Sequence, residues 1–421
     1  MRAGQAGTWR RIAVAGVTAG LLLMSTASAF VVSASSGTMT VTMSTTMTKD
    51  HVGNIVIATD NVTLDCAGHT VVGSGDPAGI LLDGRKNVTV KNCHVTGFVD
   101  GISVQAVAGQ SSHNTLLANT VTNSSADGFL VMNSSNDVLT GNSASGSGYW
   151  GFHITSSTKE TLSSNTATGA GYWGFGLETS SQCYLGHNTA MHNGTTSDGD
   201  GFFIDRSNAN VLEQNTANQN GDPGADVDGI RLQGSQDNVL RGNVANGNAT
   251  WGFILFGYQG SASGNLLTGN TANGNAQIGF ALNVATANTL SANTADGNGV
   301  SGFDLDFSSD SNTLRGNTAN NNVDGSGFSL YGASANVLSG NTANGNNVGF
   351  TVNSAEANGN TLTGNTANRN TIFGIAVGDE ASANTCSSNS ARQNGIFDAL
   401  QSNAGPDNVW VGNHFGTTDG I

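Results

Sequence analysis

The sequence predicts an all-β solenoid, in which short strands from successive repeats stack into parallel sheets. Three observations lead to this prediction. Glycine makes up 59 of the 421 residues and proline only 3, and a chain so rich in Gly, Asn, Ser and Thr forms helices poorly. The motif Asn-x-Leu-x-x-Asn-Thr-Ala recurs with a period of about 24 residues. Each repeat also contains a second apolar segment that alternates with period two, as strands do.

The second Asn of the motif is the anchor of each repeat. Two degenerate repeats near Cys66 and Asn92 precede the regular ones, so we expect about fifteen turns over residues 60–415. Stacking lets each turn bond to the next and fill its interior with like residues. Leu three residues before each anchor and Phe or Ile after it should form interior columns, and the anchors should form an amide ladder. The anchors are Asn119, Asn142, Asn165, Asn188, Asn215, Asn243, Asn270, Asn293, Asn317, Asn341, Asn365, Asn389 and Asn413. The Phe or Ile positions are Phe129, Phe152, Phe175, Phe202, Ile230, Phe253, Phe280, Phe303, Phe328, Phe350, Ile375 and Ile396.

Residues 1–29 have the pattern of a secretory signal peptide. Arg10 and Arg11 precede an apolar run from Ile12 to Met24, and Ala27-Ser28-Ala29 is a small-residue cleavage site. We therefore expect cleavage near Ala29, secretion or another extracytoplasmic location, and a single domain over residues 30–421.

The charge balance excludes several classes of partner. The chain has 14 Lys and Arg against 29 Asp and Glu, and loss of the three leader arginines leaves a net charge of −18. A surface this acidic repels phosphate backbones and anionic membranes. We expect no nucleic-acid partner, no membrane insertion and a monomeric chain.

Four cysteines in a secreted chain raise the question of disulfides. Cys66 and Cys93 lie about one repeat apart and could face each other on neighbouring turns. Cys386 occupies a position that is Leu in other repeats, which predicts a core residue. Cys183 has no evident partner.

The segment from Asn61 to Gly73, followed by Gly79-Ile80, resembles the first turn of many secreted β-helix proteins. With the repeats behind it, the chain is similar to the NosD-like, pectate-lyase-like superfamily. The resemblance implies a right-handed parallel β-helix. That superfamily contains polysaccharide lyases, hydrolases and epimerases, and also a periplasmic factor for copper-enzyme maturation, so the resemblance leaves the activity open.

Departures from the regular repeat mark the candidate site. The intervals between anchors lengthen to 27, 28 and 27 residues over positions 188–270, which predicts three neighbouring bulges. Two residues before the interior Phe or Ile, seven successive turns form a column of Trp and Asp. Its members are Asp100, Asp127, Trp150, Trp173, Asp200, Asp228 and Trp251.

This column suits carbohydrate chemistry, because aromatic faces stack on sugar rings and paired carboxylates can act as acid and base. We predict Asp200 and Asp228 as the acid and base, with Arg231 neutralising developing negative charge. The predicted substrate-binding residues are Tyr149, Trp150, His153, Tyr172, Trp173, Glu178, Asp205, Arg206 and Trp251.

Two observations weigh against an enzymatic interpretation. Asp-Gly is a common turn pair, which would make the aspartates structural. The Gly-His-Gly element of the pectin hydrolases and the Asp-Pro-His-Asp element of the epimerases, which the resemblance would imply, are absent. The sequence therefore predicts a secreted β-helix that binds an extracellular polysaccharide, with cleavage or modification as one alternative. The other is a non-catalytic interaction or maturation protein of the NosD-like type.

Metal sites are a further expectation. Asp198, Asp222 and Asp226 lie with the two central aspartates on adjacent loops and could hold Ca²⁺ through oxygen ligands. Near the N-terminus, Met39, Met43, Met47 and His51 are of the ligand types that Cu(I) prefers, although strand alternation favours inward-facing Met.

Overall fold

The computed structural model describes residues 35–107, 110–196 and 198–421, and the predicted signal peptide lies outside them. Within these ranges the chain contains strands and no helix, and strands of successive turns pair in parallel. Three sheets line the solenoid, named here for their inward residues: the Phe sheet, the Leu sheet and the Ala sheet. No helix in the described ranges is long and apolar enough to cross a membrane.

The Phe sheet has 17 strands in the described part of the chain and carries the candidate site. Its strands are Met39–Val41, Ile55–Ile57, Ala78–Asp83, Asp100–Gln105, Phe129–Met132, Trp150–Thr155, Trp173–Glu178, Asp198–Asp205, Asp226–Gln233, Phe253–Phe256, Phe280–Asn283, Phe303–Asp306, Ser326–Tyr331, Val348–Asn353, Phe373–Gly378, Phe397–Ser402 and Thr418–Asp419.

The Leu sheet has 16 strands over the same described ranges, and fifteen of them directly precede the predicted repeat anchors. This confirms the predicted solenoid and its repeat register. The strands are Thr45–Thr46, Thr63–Asp65, Thr89–Lys91, Thr115–Leu117, Val138–Thr140, Thr161–Ser163, Tyr184–Gly186, Val211–Glu213, Val239–Arg241, Leu266–Thr268, Thr289–Ser291, Thr313–Arg315, Val337–Ser339, Thr361–Thr363, Thr385–Ser387 and Val409–Val411.

The Ala sheet begins with nine strands, continues through single parallel bridges from Thr216 to Thr366, and ends with three strands. Two further strand pairs lie at a corner, Ser111–Ser112 with Ser134–Ser135 and Ala262–Ser263 with Ala285–Thr286. The Ala-sheet strands are Ser35–Ser36, His51–Val52, Thr70–Val72, His94–Thr96, Thr120–Thr122, Ser143–Ser145, Thr166–Thr168, Thr189–Met191, Thr216–Asn218, Thr366–Asn368, Ser390–Arg392 and His414–Phe415.

The interior is filled by columns of like residues, as predicted. Phenylalanine rings stack in two runs, Phe129 to Phe202 and Phe253 to Phe350, with centroids 4.6–4.8 Å apart. That distance is the spacing between neighbouring strands, so each ring lies flat on the next. The prediction is wrong for one member of this column. Ile396 is 55% exposed, because the strand register places Ala399 beside Ile375.

The anchor asparagines form the predicted amide ladder. Asn293 is typical: its Nδ2 donates to Oδ1 of Asn317 and to the carbonyl of Leu267, both at 3.0 Å. Its Oδ1 accepts the backbone N–H and Nδ2 of Asn270. All four hydrogen-bonding valences of the buried amide are thus used, which removes the desolvation penalty of a buried polar group.

Two further ladders flank the first and were not predicted. One begins at Asn210 and runs to Asn408, and the other begins at Asn193 and runs to Asn394. Their asparagines lie five residues before and after the anchors in the later repeats, as Asn288 and Asn298 do. Three corners of the later turns are therefore fixed by buried amides.

The cysteines follow the sequence-based expectations. Cys66 and Cys93 form a disulfide between neighbouring turns, with Cα atoms 4.7 Å apart. Cys386 is buried in register with Leu362, in the interior Leu column. Cys183 is buried as a free thiol, where its backbone N–H donates to Oδ1 of Asn210.

Candidate functional site

The Trp and Asp column lies on the Phe sheet in the register that the sequence predicts. Trp150 pairs with Trp173, and Asp200 pairs with Asp228. The lengthened intervals only partly form the expected loops. Part of the added chain extends two strands to eight residues, Asp198–Asp205 and Asp226–Gln233, in continued parallel pairing. Residues 221–225 and 257–261 form irregular loops, as expected.

Asp200, Asp228 and Arg231 form a closed ion cluster. Arg231 lies 2.8 Å from Asp228 through Nη2 and 3.3 Å from Asp200 through Nε. Both carboxylates are buried, and burial raises the pKa of Asp200 to about 7 despite the lowering effect of Arg231. Burial also raises the pKa of Asp228. A single guanidinium therefore pairs with both carboxylates in a low-dielectric environment and offsets one of their two negative charges.

The remaining carboxylate oxygens are used by the backbone. Oδ1 of Asp200 accepts the N–H of Asp228 at 2.9 Å, and Oδ1 of Asp228 accepts the N–H of Trp251 at 3.1 Å. Each Asp thus has a structural role in binding the next turn, although both Asp-Gly pairs lie within strands and neither forms the turn that the sequence suggested. These side chains are not directed at solvent. The observed geometry therefore differs from the one that the predicted acid and base role of Asp200, Asp228 and Arg231 requires.

The tryptophans divide into a buried and a partly exposed member. Trp150 is only 5% exposed, with its indole stacked 4.3 Å from Trp173 and 4.6 Å from the His153 ring. The indole occupies the space above Gly176, where any Cβ would overlap it. Phe203, which the sequence reasoning missed, closes the cluster 5.4 Å from Trp173. Trp150 therefore supports the surface and is not a sugar-contacting platform.

The exposed part of the cluster is a stacked row, defined here as the aromatic ribbon: Tyr149, Tyr172 and Trp173. The Tyr149 and Tyr172 rings lie 5.3 Å apart, and Tyr172 lies 5.2 Å from Trp173. Tyr149 is 46% exposed. Tyr172 and Trp173 are half-buried, so the ribbon reaches solvent over two adjacent turns with Tyr149 as its most exposed ring. Trp251, the third predicted tryptophan, has a buried Nε1 without a hydrogen-bond partner in the described structure.

Beside the ribbon, His153 lies between two carboxylates. Its Nδ1 is 2.9 Å from Asp127 and its Nε2 is 3.0 Å from Glu178. Burial acts to lower the pKa of His153, but these hydrogen bonds outweigh it and raise the pKa to about 9. The imidazolium is therefore charged at neutral pH, and its hydrogen bond lowers the pKa of Glu178.

Asp205 and Arg206 complete the polar border of the site. Arg206 lies 2.8 Å from Asp205 through Nη2 and has half its side chain in solvent. Gln233 donates to the other oxygen of Asp205 at 3.2 Å. The predicted substrate-binding residues Glu178, Asp205 and Arg206 thus lie on one face, with Glu178 in register with Asp205.

The predicted calcium ligands do not converge. Asp198 and Asp226 lie in register on neighbouring strands and are exposed, while Asp222 lies in a turn beside His192 and Gln219. The described residues contain no group of three or more His, Cys, Asp or Glu side chains able to hold a metal ion. The expectation of a Ca²⁺ site at these three aspartates is therefore not met, because only Asp198 and Asp226 are neighbours in register and Asp222 lies in a separate turn.

Comparisons with known proteins agree with this architecture. The family model "Right handed beta helix region" matches residues 78–229. The model "Periplasmic copper-binding protein (NosD)" matches residues 172–289 and 226–420, which together span more than half of the 421 residues. The fold is thus a right-handed parallel β-helix, and the chain belongs to the NosD family.

Several solved structures are also similar. The A-module of the Azotobacter vinelandii mannuronan C-5 epimerase AlgE4 is 15% identical, with 89% of this chain and 88% of that chain covered and a TM-score of 0.44. A double mutant of the periplasmic alginate epimerase AlgG is 14% identical, with 77% of each chain covered and a TM-score of 0.47. The GH136 lacto-N-biosidase from Eubacterium ramulus is 9% identical, with 65% and 59% covered and a TM-score of 0.43. A search of curated protein sequences gives no match. At these TM-scores, the structural likenesses carry no argument about activity.

The copper that the family description names does not fit the described residues. Met43 is exposed, Met47 is buried in the core, and a ring nitrogen of His51 contacts the carbonyl of Asn54. The two free thiols, Cys183 and Cys386, are buried about eight turns apart. The potential soft ligands are thus dispersed among the described residues, and the function proposed for the chain does not use a metal.

Proposed function

We propose that the chain is an extracytoplasmic β-helix that binds a polysaccharide along the aromatic ribbon. The carrying observation is the stack of exposed Tyr149 with half-buried Tyr172 and Trp173 over two turns. Stacked aromatic faces bind the apolar faces of sugar rings, while their polar edges remain in water. The predicted leader and the family description of a periplasmic protein support the location.

The border of the ribbon favours a neutral saccharide. The partly exposed carboxylate of Glu178 lies on its border, and the whole chain has a formal net charge of −15. Carboxylates accept hydrogen bonds from sugar hydroxyl groups but repel the carboxylates of polyanionic chains. Arg206, half exposed, adds a donor for sugar oxygens. The ribbon and its border therefore suit a neutral glycan better than a polyuronate.

Binding without cleavage is the activity that the geometry supports best. An acid and base pair must reach the scissile bond. Asp200 and Asp228 instead face Arg231 and the backbone of the next turn. The second candidate is a non-catalytic interaction or maturation role of the NosD type, which the family membership favours.

A panel of neutral and acidic oligosaccharides tests the proposal by calorimetry. We expect neutral oligomers to bind, and Tyr172→Ala or Trp173→Ala to weaken binding about tenfold, since each removes a stacking face. Tyr184→Ala is the matched control, because Tyr184 lies on the Leu sheet beside Glu213. Reducing ends and unsaturated products are followed in parallel. Product formation that disappears in Asp200→Asn would overturn the non-catalytic assignment, and binding unaffected by both ribbon variants would overturn the ribbon.

A further inference from the structure

A second exposed apolar row lies on four later turns of the same sheet. Tyr258, Val284, Phe307 and Tyr331 are each 43–50% exposed, and we call them the apolar strip. Four strands that pair in sequence carry them. Val284 and Phe307 directly follow the strands Phe280–Asn283 and Phe303–Asp306. Tyr258 lies two residues after the strand Phe253–Phe256, and Tyr331 is the last residue of the strand Ser326–Tyr331. Phe256 stacks on Tyr258 at 5.6 Å, and the Phe307 ring meets Tyr331 edge to face at 6.4 Å.

Two members of the strip occupy an unfavourable backbone conformation. Val284 has φ 53° and Phe307 has φ 47°. Some turns put Asn133, Gly234 or Asn403 at the equivalent position, residue types that tolerate positive φ, whereas others put Ser156, Thr179 or Arg206 there. A bulky or β-branched residue there costs about 1 kcal/mol or more. Burial does not offset this cost, because both side chains project into solvent.

A carboxylate pair without a protein cation adjoins the strip. Asp304 and Asp306 alternate with buried Phe303 and Leu305, so they lie on the outward face beside Phe307. No salt bridge to either is present in the described structure. The Asp304 carboxyl group is hydrogen-bonded to Ser329 and to Asp306, while its Oδ1 is buried and has no hydrogen-bond partner there. Burial raises the pKa of Asp304 to about 6 and, with the charge of Asp304, that of Asp306 to about 7.

We propose that the apolar strip and the Asp304–Asp306 pair form a binding site for a glycan that carries free amino groups. The sugar faces lie against the rings of Phe307, Tyr331 and Tyr258. An ammonium group supplies the cation that the carboxylate pair lacks, and the aromatic faces attract it as well. Two turns, about 10 Å, separate the levels of Tyr258 and Phe307, so the site accommodates more than one ring.

This site goes beyond the proposed function and does not depend on it. It lies on other turns than the aromatic ribbon, and its acidic pair selects a cationic sugar, whereas the ribbon suits neutral ones. A cationic peptide shares the charge but lacks the flat sugar faces, so it is an alternative that the test must exclude.

The test measures binding of a fully deacetylated glucosamine oligosaccharide to the full chain by calorimetry. Its N-acetylated counterpart of equal length has the same rings without the charge. We expect the deacetylated oligomer to bind at least about tenfold more tightly, and Asp304→Asn combined with Asp306→Asn to remove that preference.

Phe307→Asn tests the aromatic contribution without endangering the fold, because asparagine tolerates the positive φ. We expect binding to weaken about tenfold while the melting temperature stays equal or rises. Ser156→Asn, at the equivalent position of another turn with φ 51°, is the matched control and should bind as wild type does.

Three results would overturn the proposal: equal binding of the two oligomers, undiminished binding by Phe307→Asn, or equally tight binding of oligolysine. A neutral oligosaccharide that occupies the ribbon should not displace the amine-bearing one. The failure of one site is therefore distinguishable from the failure of the other.

Discussion

The middle turns and the later turns of this solenoid share one backbone but differ in what fills its polar positions. In the later turns, from the anchor Asn270 to the anchor Asn365, all three corners hold buried asparagines. In the middle turns, Asp137, Glu160 and Cys183 occupy the corner at which the ladder that begins at Asn210 lies. The outward column of the middle turns holds tryptophans and buried aspartates.

The difference shows that a ladder of asparagines needs no added cation or proton, whereas each buried carboxylate in its place does. An asparagine donates and accepts equally, so an identical neighbour satisfies it. A carboxylate only accepts, so a column of them needs a cation or a proton. Arg231 supplies the cation for Asp200 and Asp228, and a retained proton serves Glu160, whose pKa burial and the charge of Asp137 raise to about 9.

The largest expected effect comes from removing the compensating cation. Arg231→Met leaves two buried carboxylates unpaired, which we expect to lower the free energy of unfolding by about 4 kcal/mol in urea denaturation. Arg241→Met is the matched control, because Arg241 pairs with Glu213 at the surface and should cost less than about 1 kcal/mol. Adding Asp228→Asn to Arg231→Met should recover part of the loss. Equal effects of the two arginine variants would mean that the cluster is not a compensated unit.

The next largest effect comes from breaking a ladder in the later turns. Asn293→Ala removes a side chain that makes four buried hydrogen bonds, so the free energy of unfolding should fall by about 3 kcal/mol. Asn320→Ala is the control, since Asn320 is only half-buried and its side chain accepts one N–H, from Asn344. A loss at Asn293 no larger than at Asn320 would contradict the role assigned to the ladder.

The fold was predictable because the repeat carries its own register. Each anchor names a Leu-sheet strand, and like residues must stack once turns pair in parallel. The two flanking ladders were not predicted, although Asn288 and Asn298 flank Asn293 at equal spacing. Asn is also an ordinary turn residue, so its spacing alone does not distinguish a buried amide from an exposed turn.

The site was predictable in position but not in exposure. The column two residues before the interior Phe was expected to contact substrate in solvent, yet Trp150 and Asp200 are buried. Trp150 folds over Gly176 in the next turn, and Asp200 is covered by pairing with Arg231 of the next turn. Such coverage depends on which side chains become neighbours across turns. The apolar strip escaped notice for the opposite reason, since Phe307 resembles a core residue in the sequence.

The smallest expected effect concerns the proton that replaces an amide in the second ladder. The pKa of Glu160 is about 9 in the folded chain against 4.5 for an ordinary glutamate, so the folded state holds an extra proton between these values. This contribution to stability is complete below about pH 4.5 and lost as the pH rises through about 9. Glu160→Gln restores an uncharged amide like those of the later turns. Between pH 5 and pH 9 its free energy of unfolding should therefore fall by at least about 1 kcal/mol less than that of the wild type, as urea denaturation at both pH values measures. Parallel pH dependence of the two proteins would show that the buried glutamate carries no retained proton, and that the middle turns tolerate their irregular ladder by some means other than protonation.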